Sequence, residues 1–415
     1  RLQLKPILKR ILNRWVLLIF QSILLNNECK ALDDKPHSKP NVLIIYTDDQ
    51  AQWTIGAYGN KDVHTPNMDR LASEGMLFTR ALTKPVCSPS RAMLLTGLFS
   101  HKVGIPDYIS YPDTNNTGLP FGTQTIASLL KGAGYRTGLV GKWHLGYGEK
   151  YYPTLYGFDH AEDYRYIAPD KKIAAVGKIP FLIDGKEIEG FRTDPQHMDI
   201  LADRAINFIR AQQERPFLLY FSTYMPHQPW DSVPKVDRAY YENKILKVPD
   251  LSSFQEIIPE RATPEQLQNI MRKYYANVTC VDRNIGRVLD ELDLLGLSEN
   301  TIVIFMGDNG YMVSHHGLLG KGNARSLYID ESESYPGRKY GTRANMFDNS
   351  VLVPLIIRWP GVVKSGTINN VMVSTLDILP TLSEINGLTP EDMKVDGKSL
   401  LPFLRGNSDK NWRSA

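Results

Sequence analysis

Short apolar runs that end abruptly in polar residues are the feature of this chain that most constrains its fold. The clearest run, Asn41–Tyr46, reads NVLIIY and is followed by Thr-Asp-Asp. A continuous run of this length is typical of a strand that is buried on both faces, as the strands of parallel sheets are. Comparable runs predict further strands at Thr137–Val140, Phe217–Ser222, Thr301–Met306 and Val353–Arg358.

Helical patterns occupy the intervals between these runs. The alternation is typical of an α/β fold with a mostly parallel central sheet flanked by helices. With 415 residues, 42 % of them hydrophobic, the chain can bury a large core in one or two domains. Two long stretches, Tyr147–Pro195 and Asp231–Thr263, show neither pattern and predict loops over the sheet edge. The predicted helices are Asn67–Glu74, Thr125–Ala133, His197–Gln212, Pro264–Leu295 and Leu376–Asn386.

Polar side chains follow four of the five predicted strands directly. Because ligands of open α/β sheets bind beyond the carboxyl ends of the strands, we expect these side chains to meet in one site. The carboxylates and the amide among them are hard oxygen ligands, which suit Ca²⁺ or Mg²⁺ rather than zinc. Taken singly, each acidic motif is more typical of a turn or a helix cap. The residues are Asp48 and Asp49, Lys142 and His144, His227, and Asp308 and Asn309.

The segment CSPSR places Cys87 at the start of a predicted helix, with Arg91 one helical turn away. The first N–H groups of a helix point outward and favour an anion. Pro89 suits the first turn, where its missing N–H group costs nothing. A cysteine of this kind would, in isolation, be more typical of a buried structural thiol.

Two further segments carry basic candidates. In GYRTGLVGKWH, Lys142 and His144 are alternate residues of an extended strand end, so both side chains can face one site. Lys321 lies in a glycine-flanked loop that can approach an anion closely. His315 and His316 are candidates for an outer layer of the site. Taken alone, Lys321 would be typical of a solvated surface, and a single histidine would be typical of a satisfied surface or core residue.

The charge balance and the cysteine count exclude several protein classes. A net charge of +3, from 48 basic and 45 acidic residues, gives no global basic field, so we expect no nucleic-acid partner. Cys29, Cys87 and Cys280 form neither a disulfide framework nor a zinc-binding spacing. We expect Cys280 to be buried and inert.

The first residues combine basic side chains with a short apolar run, Trp15–Leu25. This pattern predicts a secretory signal peptide over residues 1–31, with a retained anchoring helix as the alternative. The run is shorter than the roughly 20 residues of a membrane span, so we expect no stable span. Sequons at Asn115 and Asn277 are compatible with export to an extracellular, periplasmic or lysosome-like compartment.

Together these motifs resemble those of the type I, formylglycine-dependent sulfatases of the alkaline-phosphatase-like superfamily. CSPSR matches their Cys-x-Pro-x-Arg motif at every fixed position, and GYRT followed by GKWH reproduces their second signature. The resemblance covers Pro40 to Leu404 and implies an alkaline-phosphatase-like catalytic domain over residues 40–404. Family members continue into a small antiparallel subdomain, of which residues 405–415 would be a truncated start.

The resemblance also implies a role for each candidate. Cys87 would be converted to formylglycine by a separate maturation enzyme and would act as its hydrate. Arg91 would steady the hydrate and His144 would assist its turnover. One Ca²⁺ would be held by Asp48, Asp49, the modified Cys87, Asp308 and Asn309. Sulfate binding and leaving-group stabilisation would fall to Lys142, His227 and Lys321, with His227 or Lys321 as the proton donor.

The implied reaction releases inorganic sulfate from a sulfate ester, with a sulfated carbohydrate preferred over a small aryl sulfate. Tyrosines of the first long stretch, together with Trp230, would stack on sugar rings or pack the loops. The alternatives are a phosphonate or phosphate monoester hydrolase on the same fold, and a catalytically silent homologue that binds sulfated glycans. The aromatic candidates are Tyr147, Tyr151, Tyr152, Tyr156, Tyr164, Tyr166 and Trp230.

Overall fold

A ten-stranded mixed sheet forms the centre of the fold. The computed structural model describes residues 39–109, 117–164, 181–191, 194–212, 214–250, 263–321, 325–326, 346–388 and 394–413. The predicted signal peptide and the sequon at Asn115 lie outside these residues and stay predictions. No helix in the described part of the chain is both long and apolar enough to cross a membrane.

The strand order of the sheet is β12-β2-β11-β8-β1-β7-β3-β4-β5-β6, and two short strands, β9 and β10, pair separately. All strands of the large sheet run in one direction except β11 and β5, which are antiparallel to both neighbours. The predicted mostly parallel α/β architecture is therefore confirmed. The strands are β1 (Asn41–Asp48), β2 (Met76–Leu82), β3 (Arg136–Gly141), β4 (His160–Tyr164), β5 (Phe181–Ile183), β6 (Lys186–Ile188), β7 (Phe217–Pro226), β8 (Thr301–Gly307), β9 (Leu318–Leu319), β10 (Arg325–Ser326), β11 (Leu355–Arg358) and β12 (Thr367–Ser374).

Helices cover both faces of the sheet. They are α1 (Pro66–Glu74), α2 (Cys87–Thr96), α3 (Ile126–Gly132), α4 (His197–Arg210), α5 (Lys235–Ala239), α6 (Pro264–Leu294), α7 (Asp348–Val351), α8 (Ile378–Ile385) and α9 (Leu401–Leu404). Leu43 and Ile45 of β1 pack in one cluster with α1, α4 and α6. Val42, Ile44 and Tyr46 pack in another with α2, α3 and α8. Since side chains alternate along a strand, this division places one core on each face and gives three layers.

Local capping explains where two helices begin. Thr263 and Gln266 form a reciprocal capping box at the start of α6, and Pro264 occupies its first turn. Thr125 and Ser128 form the same arrangement at α3. Both helices begin within one residue of the predicted position because the capping residues are adjacent in sequence.

Several strands escaped the sequence prediction. The stretch Tyr147–Pro195, predicted as loops, contains β4, β5 and β6, so that prediction is wrong in part. β12 has alternating exposed positions and therefore lacks the continuous apolar run on which the prediction depended. The predicted strand at Val353–Arg358 begins at Leu355 and runs antiparallel to its neighbours.

The sequon at Asn277 lies inside α6. The Asn277 side chain is fully buried, and its amide donates hydrogen bonds to the carbonyl groups of Trp230 (3.0 Å) and Lys273 (2.9 Å). In the folded protein this asparagine is therefore inaccessible to a glycosylating enzyme. Cys280, in the same helix, is also fully buried, and burial raises the pKa of its thiol well above its ordinary value, as expected for an inert thiol.

Candidate active site

The predicted site residues that follow strands meet at the carboxyl ends of β1, β3, β7 and β8. Asp48 ends β1, and its register partner on β7 is Pro226, directly before His227. Lys142 follows β3, and Asp308 follows β8. These four strands are neighbours in the sheet, so their ends form one edge.

Gly141 allows β3 to deliver Lys142 to this edge. Its φ is +109°, and a Cβ atom at this position would lie 1.8 Å from the carbonyl oxygen of Ser222. The Lys142 N–H donates to that same oxygen at 2.7 Å. Only glycine combines this close approach with a left-handed backbone.

Three acidic or thiol groups form a buried cluster here. Ligand atoms of Asp48, Cys87 and Asp308 all lie within 4.8 Å of one another. The Asp49 N–H donates to Asp308 Oδ1 at 3.1 Å, and the Asn309 amide donates to Asp49 Oδ1 at 2.7 Å. The predicted metal ligands are thus brought together by direct contacts.

Cys87 is the first residue of α2, as predicted, and every residue of this helix is buried. The preceding Val86 is extended and supplies no side-chain cap, so the first N–H groups of the helix are not used by a capping side chain. Ser90 fixes the helix through contacts with Tyr46 Oη (2.7 Å) and Thr83 Oγ1 (2.5 Å). The thiol therefore sits at the positive end of a rigidly held helix dipole.

Arg91 connects the cluster to two strands. Its Nε and Nη2 donate to Asp308 Oδ2 at 3.0 and 2.7 Å. Its Nη1 donates to the Lys142 carbonyl oxygen at 3.0 Å and to Ser222 Oγ at 2.5 Å. Sequence reasoning missed Ser222, since a serine inside a buried strand carries no local signal of a functional contact.

Two lysines neutralise the remaining carboxylates. Lys142 Nζ donates to Asp48 Oδ2 at 2.5 Å, and Lys321 Nζ donates to Asp49 Oδ1. Burial by itself would raise the pKa of Asp48, but Lys142, His227, Lys321 and Arg91 together hold that pKa well below its ordinary value. Arg91, Lys142 and Lys321 thus face the three carboxylates of the cluster, so its negative charge is balanced by these side chains.

The cluster still offers unused oxygen atoms. Asp48 Oδ1 and Asn309 Oδ1 are buried and accept no hydrogen bond from the described residues. A buried acceptor without a donor is costly unless a cation binds it. The all-oxygen set of Asp48, Asp49, Asp308 and Asn309 therefore fits a hard divalent cation such as Ca²⁺.

The two histidines differ in which ring nitrogen faces a backbone carbonyl. The His144 Nε2–H donates to the Ile109 oxygen at 3.0 Å, while its Nδ1 is buried without a hydrogen bond from the described residues. Burial, with Lys142 and Arg91, holds the pKa of His144 well below its ordinary value, so the neutral ring keeps an Nδ1 lone pair. The His227 Nδ1–H donates to the Gln228 oxygen at 2.7 Å, and its Nε2 lies 3.7 Å from Asp49 Oδ2.

A sequence model of the Sulfatase family matches residues 40–388. The chain belongs to the sulfatase family. The protein is accordingly an enzyme of this family, as the Cys-x-Pro-x-Arg motif and the strand-end residues had predicted.

Several known sulfatases are similar to this one. N-acetylglucosamine-6-O-sulfatase of Bacteroides thetaiotaomicron is 28 % identical, over 91 % of this chain and 73 % of that protein. Human N-acetylgalactosamine-6-sulfatase is 30 % identical, over 88 % of this chain and 66 % of that protein. A structure solved with its substrate D-glucosamine-2-N,6-O-disulfate has a TM-score of 0.70 and 25 % identity, covering 91 % of this chain and 83 % of that one.

The same fold also carries a different activity. The phosphonate monoester hydrolase of Agrobacterium radiobacter aligns with a TM-score of 0.67 at 24 % identity, over 90 % of this chain and 79 % of that one. A likeness of this degree shows the shared fold alone. The choice between sulfate and phosphonate esters therefore depends on the site itself.

A cavity of about 290 Å³ lies beside His144 in this sulfatase. Tyr147, Tyr151 and Tyr152 are among its lining residues. The buried Asp163 carboxylate also lines it, and accepts hydrogen bonds from the Tyr224 hydroxyl and from the Trp143 N–H at 3.2 Å. Aromatic faces beside a hydroxyl-accepting carboxylate suit a sugar ring.

The remaining aromatic and histidine candidates have packing roles. Tyr156 is 2 % exposed and packs on Trp143, and Trp230 is 7 % exposed and packs on Tyr274 and Tyr311. His315 packs on Trp53, and His316 stacks on Phe347. Tyr166 and the side chain of Tyr164 lie outside the described residues.

Proposed function

We propose that this sulfatase releases sulfate from a sulfated carbohydrate, using formylglycine made from Cys87 by a separate maturation enzyme and one Ca²⁺. The observation that carries the proposal is the buried cluster in which Cys87, at the start of α2, meets Asp48 and Asp308 within 4.8 Å. The two unused oxygens, Asp48 Oδ1 and Asn309 Oδ1, support a cation at the same place.

The ion and the modified side chain would add two properties to those of the residues described above. The ion would add positive charge where the transition state is negative, and the hydrated aldehyde would supply a nucleophilic hydroxyl and a second one through which sulfate is expelled. An unmodified serine or cysteine has no second hydroxyl. This difference is the chemical reason to modify Cys87.

The basic residues bind and orient the anionic ester. Lys142 and Lys321 donate to Asp48 and Asp49. A divalent ion held by those carboxylates would compete with the two ammonium groups for the same oxygens, so Lys142 and Lys321 could then donate to the sulfate oxygens. Arg91 stays on Asp308 through two bonds and keeps this ligand fixed.

Proton transfers fall to the histidines and to Lys321. The Nδ1 lone pair of a neutral His144 can accept the proton that is lost when sulfate leaves the hydrate. His227 or Lys321 would donate to the leaving alcohol. A neutral His227 with Nδ1–H bonded to Gln228 presents a lone pair at Nε2, so donation from Nε2 requires the doubly protonated ring.

Two features support a carbohydrate as the alcohol component. The relatives named above include hexosamine sulfatases, and the cavity beside His144 combines tyrosine rings with the Asp163 carboxylate. The predicted signal peptide would deliver the enzyme to an exported compartment, where such glycans occur.

The proposal is tested by peptide mass spectrometry across Cys87, on protein from a host that has the maturation enzyme, together with an aryl sulfate assay. We expect a mass lower by about 18 Da at Cys87, and sulfate release that Cys87→Ala abolishes. Cys280→Ala is the matched control, since this second buried thiol lies in α6 and should leave activity intact.

The alternatives give different results in the same experiment. Faster turnover of an aryl phosphonate monoester than of the aryl sulfate would favour the phosphonate hydrolase seen on this fold. An unmodified thiol without sulfate release would contradict hydrolysis and leave a sulfated-glycan-binding homologue.

A further inference from the structure

A second cavity, of about 470 Å³, lies between α5 and α6. We name it the basic cleft and define it by Trp230, Lys235, Arg238, Tyr241, Arg272 and Lys273. The sulfate-ester chemistry described above does not use any of these side chains. The cleft is larger than the cavity beside His144 and differs from it in charge.

Cationic side chains outnumber acidic ones in this cleft. Four basic residues line it, against the carboxylates of Asp231 and Glu242. Lys273 forms an ion pair with Asp231 at 2.5 Å, and Arg272 donates hydrogen bonds from Nε and Nη2 to the Lys244 carbonyl oxygen. Lys235 and Arg238 are exposed, and no described carboxylate forms an ion pair with either.

The floor of the cleft is aromatic. Trp230 and Tyr241 line it, with only 7 % and 1 % of their surfaces exposed. Because these rings are almost fully buried, they shape the floor but offer little surface for stacking. A ligand of this cleft would therefore be held through an acid group that meets the cations at the rim. A neutral alcohol would make no use of Lys235 and Arg238.

One layer of packed aromatic side chains separates the cleft from the sulfate site. The Trp230 indole N–H donates to the Pro226 carbonyl oxygen at 2.8 Å, and Pro226 is the register partner of Asp48. The Trp230 ring packs on Tyr274, whose hydroxyl donates to the Asp49 carbonyl oxygen at 2.6 Å. His227, whose side chain is 32 % exposed, lies between Pro226 and Trp230 in sequence.

We propose that the basic cleft binds a second acid group, sulfate or carboxylate, of the glycan chain whose scissile sulfate lies beside Cys87. The substrate class is then an acidic oligosaccharide rather than a singly sulfated sugar. This inference rests on the proposed function, because it assigns the partner of the same site. A glycan that spans both positions gains affinity from the cleft without any change in the chemistry at Cys87.

The test uses the full-length, matured enzyme and a heparin-derived tetrasaccharide as the probe. Calorimetry measures its Kd, and inhibition of aryl sulfate hydrolysis measures whether it competes at the site. We expect the double variant Lys235→Glu, Arg238→Glu to raise the Kd and the inhibition constant about tenfold, since two attractions become repulsions. The kcat and KM for the aryl sulfate should stay at the wild-type values.

Lys364→Glu with Arg405→Glu is the matched control, because it reverses the same number of exposed charges elsewhere. We expect its Kd for the tetrasaccharide to stay within twofold of wild type, about the effect of one distant surface charge. The milder double variant Lys235→Gln, Arg238→Gln removes the two charges without reversing them and should give an intermediate Kd. It distinguishes the effect of lost charge on binding from misfolding of the glutamate variant.

Three results would overturn the cleft assignment: no binding of the tetrasaccharide to wild type, an unchanged Kd in the cleft variant, or an equal loss in the control variant. Non-competitive inhibition would also overturn it, because the glycan would not then span both positions. Failure of the wild-type enzyme to hydrolyse the aryl sulfate would instead contradict the proposed function, and calorimetry reports on the cleft independently of turnover.

Discussion

Replacement of Arg91 by lysine tests whether this guanidinium holds the active site together. Arg91 is fully buried and makes four hydrogen bonds: two to Asp308 Oδ2, one to the Lys142 carbonyl oxygen and one to Ser222 Oγ. A lysine keeps the charge but concentrates its donors on one nitrogen, which cannot reach both Asp308 and Ser222. At least one strand end therefore loses its connection.

The magnitude follows from the bonds that are lost. A hydrogen bond to a charged group contributes about 1.5–3 kcal/mol, and complete loss of a buried ion-pair partner costs about 3–5 kcal/mol. Because lysine retains one contact and the charge, we expect a loss of about 3 kcal/mol in the free energy of unfolding. For a chain of this size that lowers the Tm by about 3–4 °C.

Arg210→Lys is the matched control. Arg210 also binds a carboxylate through two bonds, to Glu291 at 2.7 and 2.8 Å, but its side chain is 55 % exposed. Water can replace those bonds, so its Tm should hardly change. Differential scanning calorimetry and aryl sulfate kinetics are measured on both variants. The reasoning is refuted if Arg91→Lys has the same Tm as wild type, or if the Tm of Arg210→Lys falls as far as that of Arg91→Lys.

Three further predictions concern other parts of the structure. In denaturant titrations, Gly141→Ala should lower the free energy of unfolding by about 1–3 kcal/mol more than Gly148→Ala. Both glycines have a positive φ, but only a Cβ atom at Gly141 would meet a backbone oxygen. Equal losses in the two variants would contradict the close approach to Ser222. Chelation with EGTA should lower the Tm and abolish activity, with recovery in Ca²⁺, since ligand-bound stabilisation reaches about 2.7 kcal/mol at a hundredfold excess over Kd; a chelator-insensitive enzyme would rule out the metal assignment. Glu162 and Asp184 each form a hydrogen bond with one ring nitrogen of His160 and raise its pKa, so the stabilisation from its charged ring is complete below about pH 6.5 and is lost as pH rises through the raised pKa. The difference in Tm between wild type and His160→Gln should therefore shrink with rising pH. A difference that stays constant with pH would disprove the charged pairing.

The sequence was sufficient to predict the strands that form the centre of the fold. β1, β3, β7 and β8 are buried on both faces, and their continuous apolar runs are visible without any knowledge of their neighbours. Since ligands bind where such strands end, the residues that follow them were predicted together with the strands. The cysteine motif marked the start of α2 because the preference of proline for the first helical turn acts locally.

The contacts between those residues could not be predicted, because they join positions that are distant in sequence. Lys142 was expected to bind an anionic ligand, yet it donates to Asp48, and Arg91 depends on Ser222, a residue without a local signal. Trp230 looked available for a sugar ring, but its packing on Tyr274 places it in the floor of the basic cleft.

Local patterns determined which segments of this protein become buried strands and capped helices, since the physical preferences that produce them act over a few residues. Only the tertiary structure decided which side chains meet, because strand order, register and the approach of β3 to β7 at Gly141 depend on packing across the whole sheet. The same distinction explains why candidate site residues could be proposed from sequence, whereas the cleft between α5 and α6 could not.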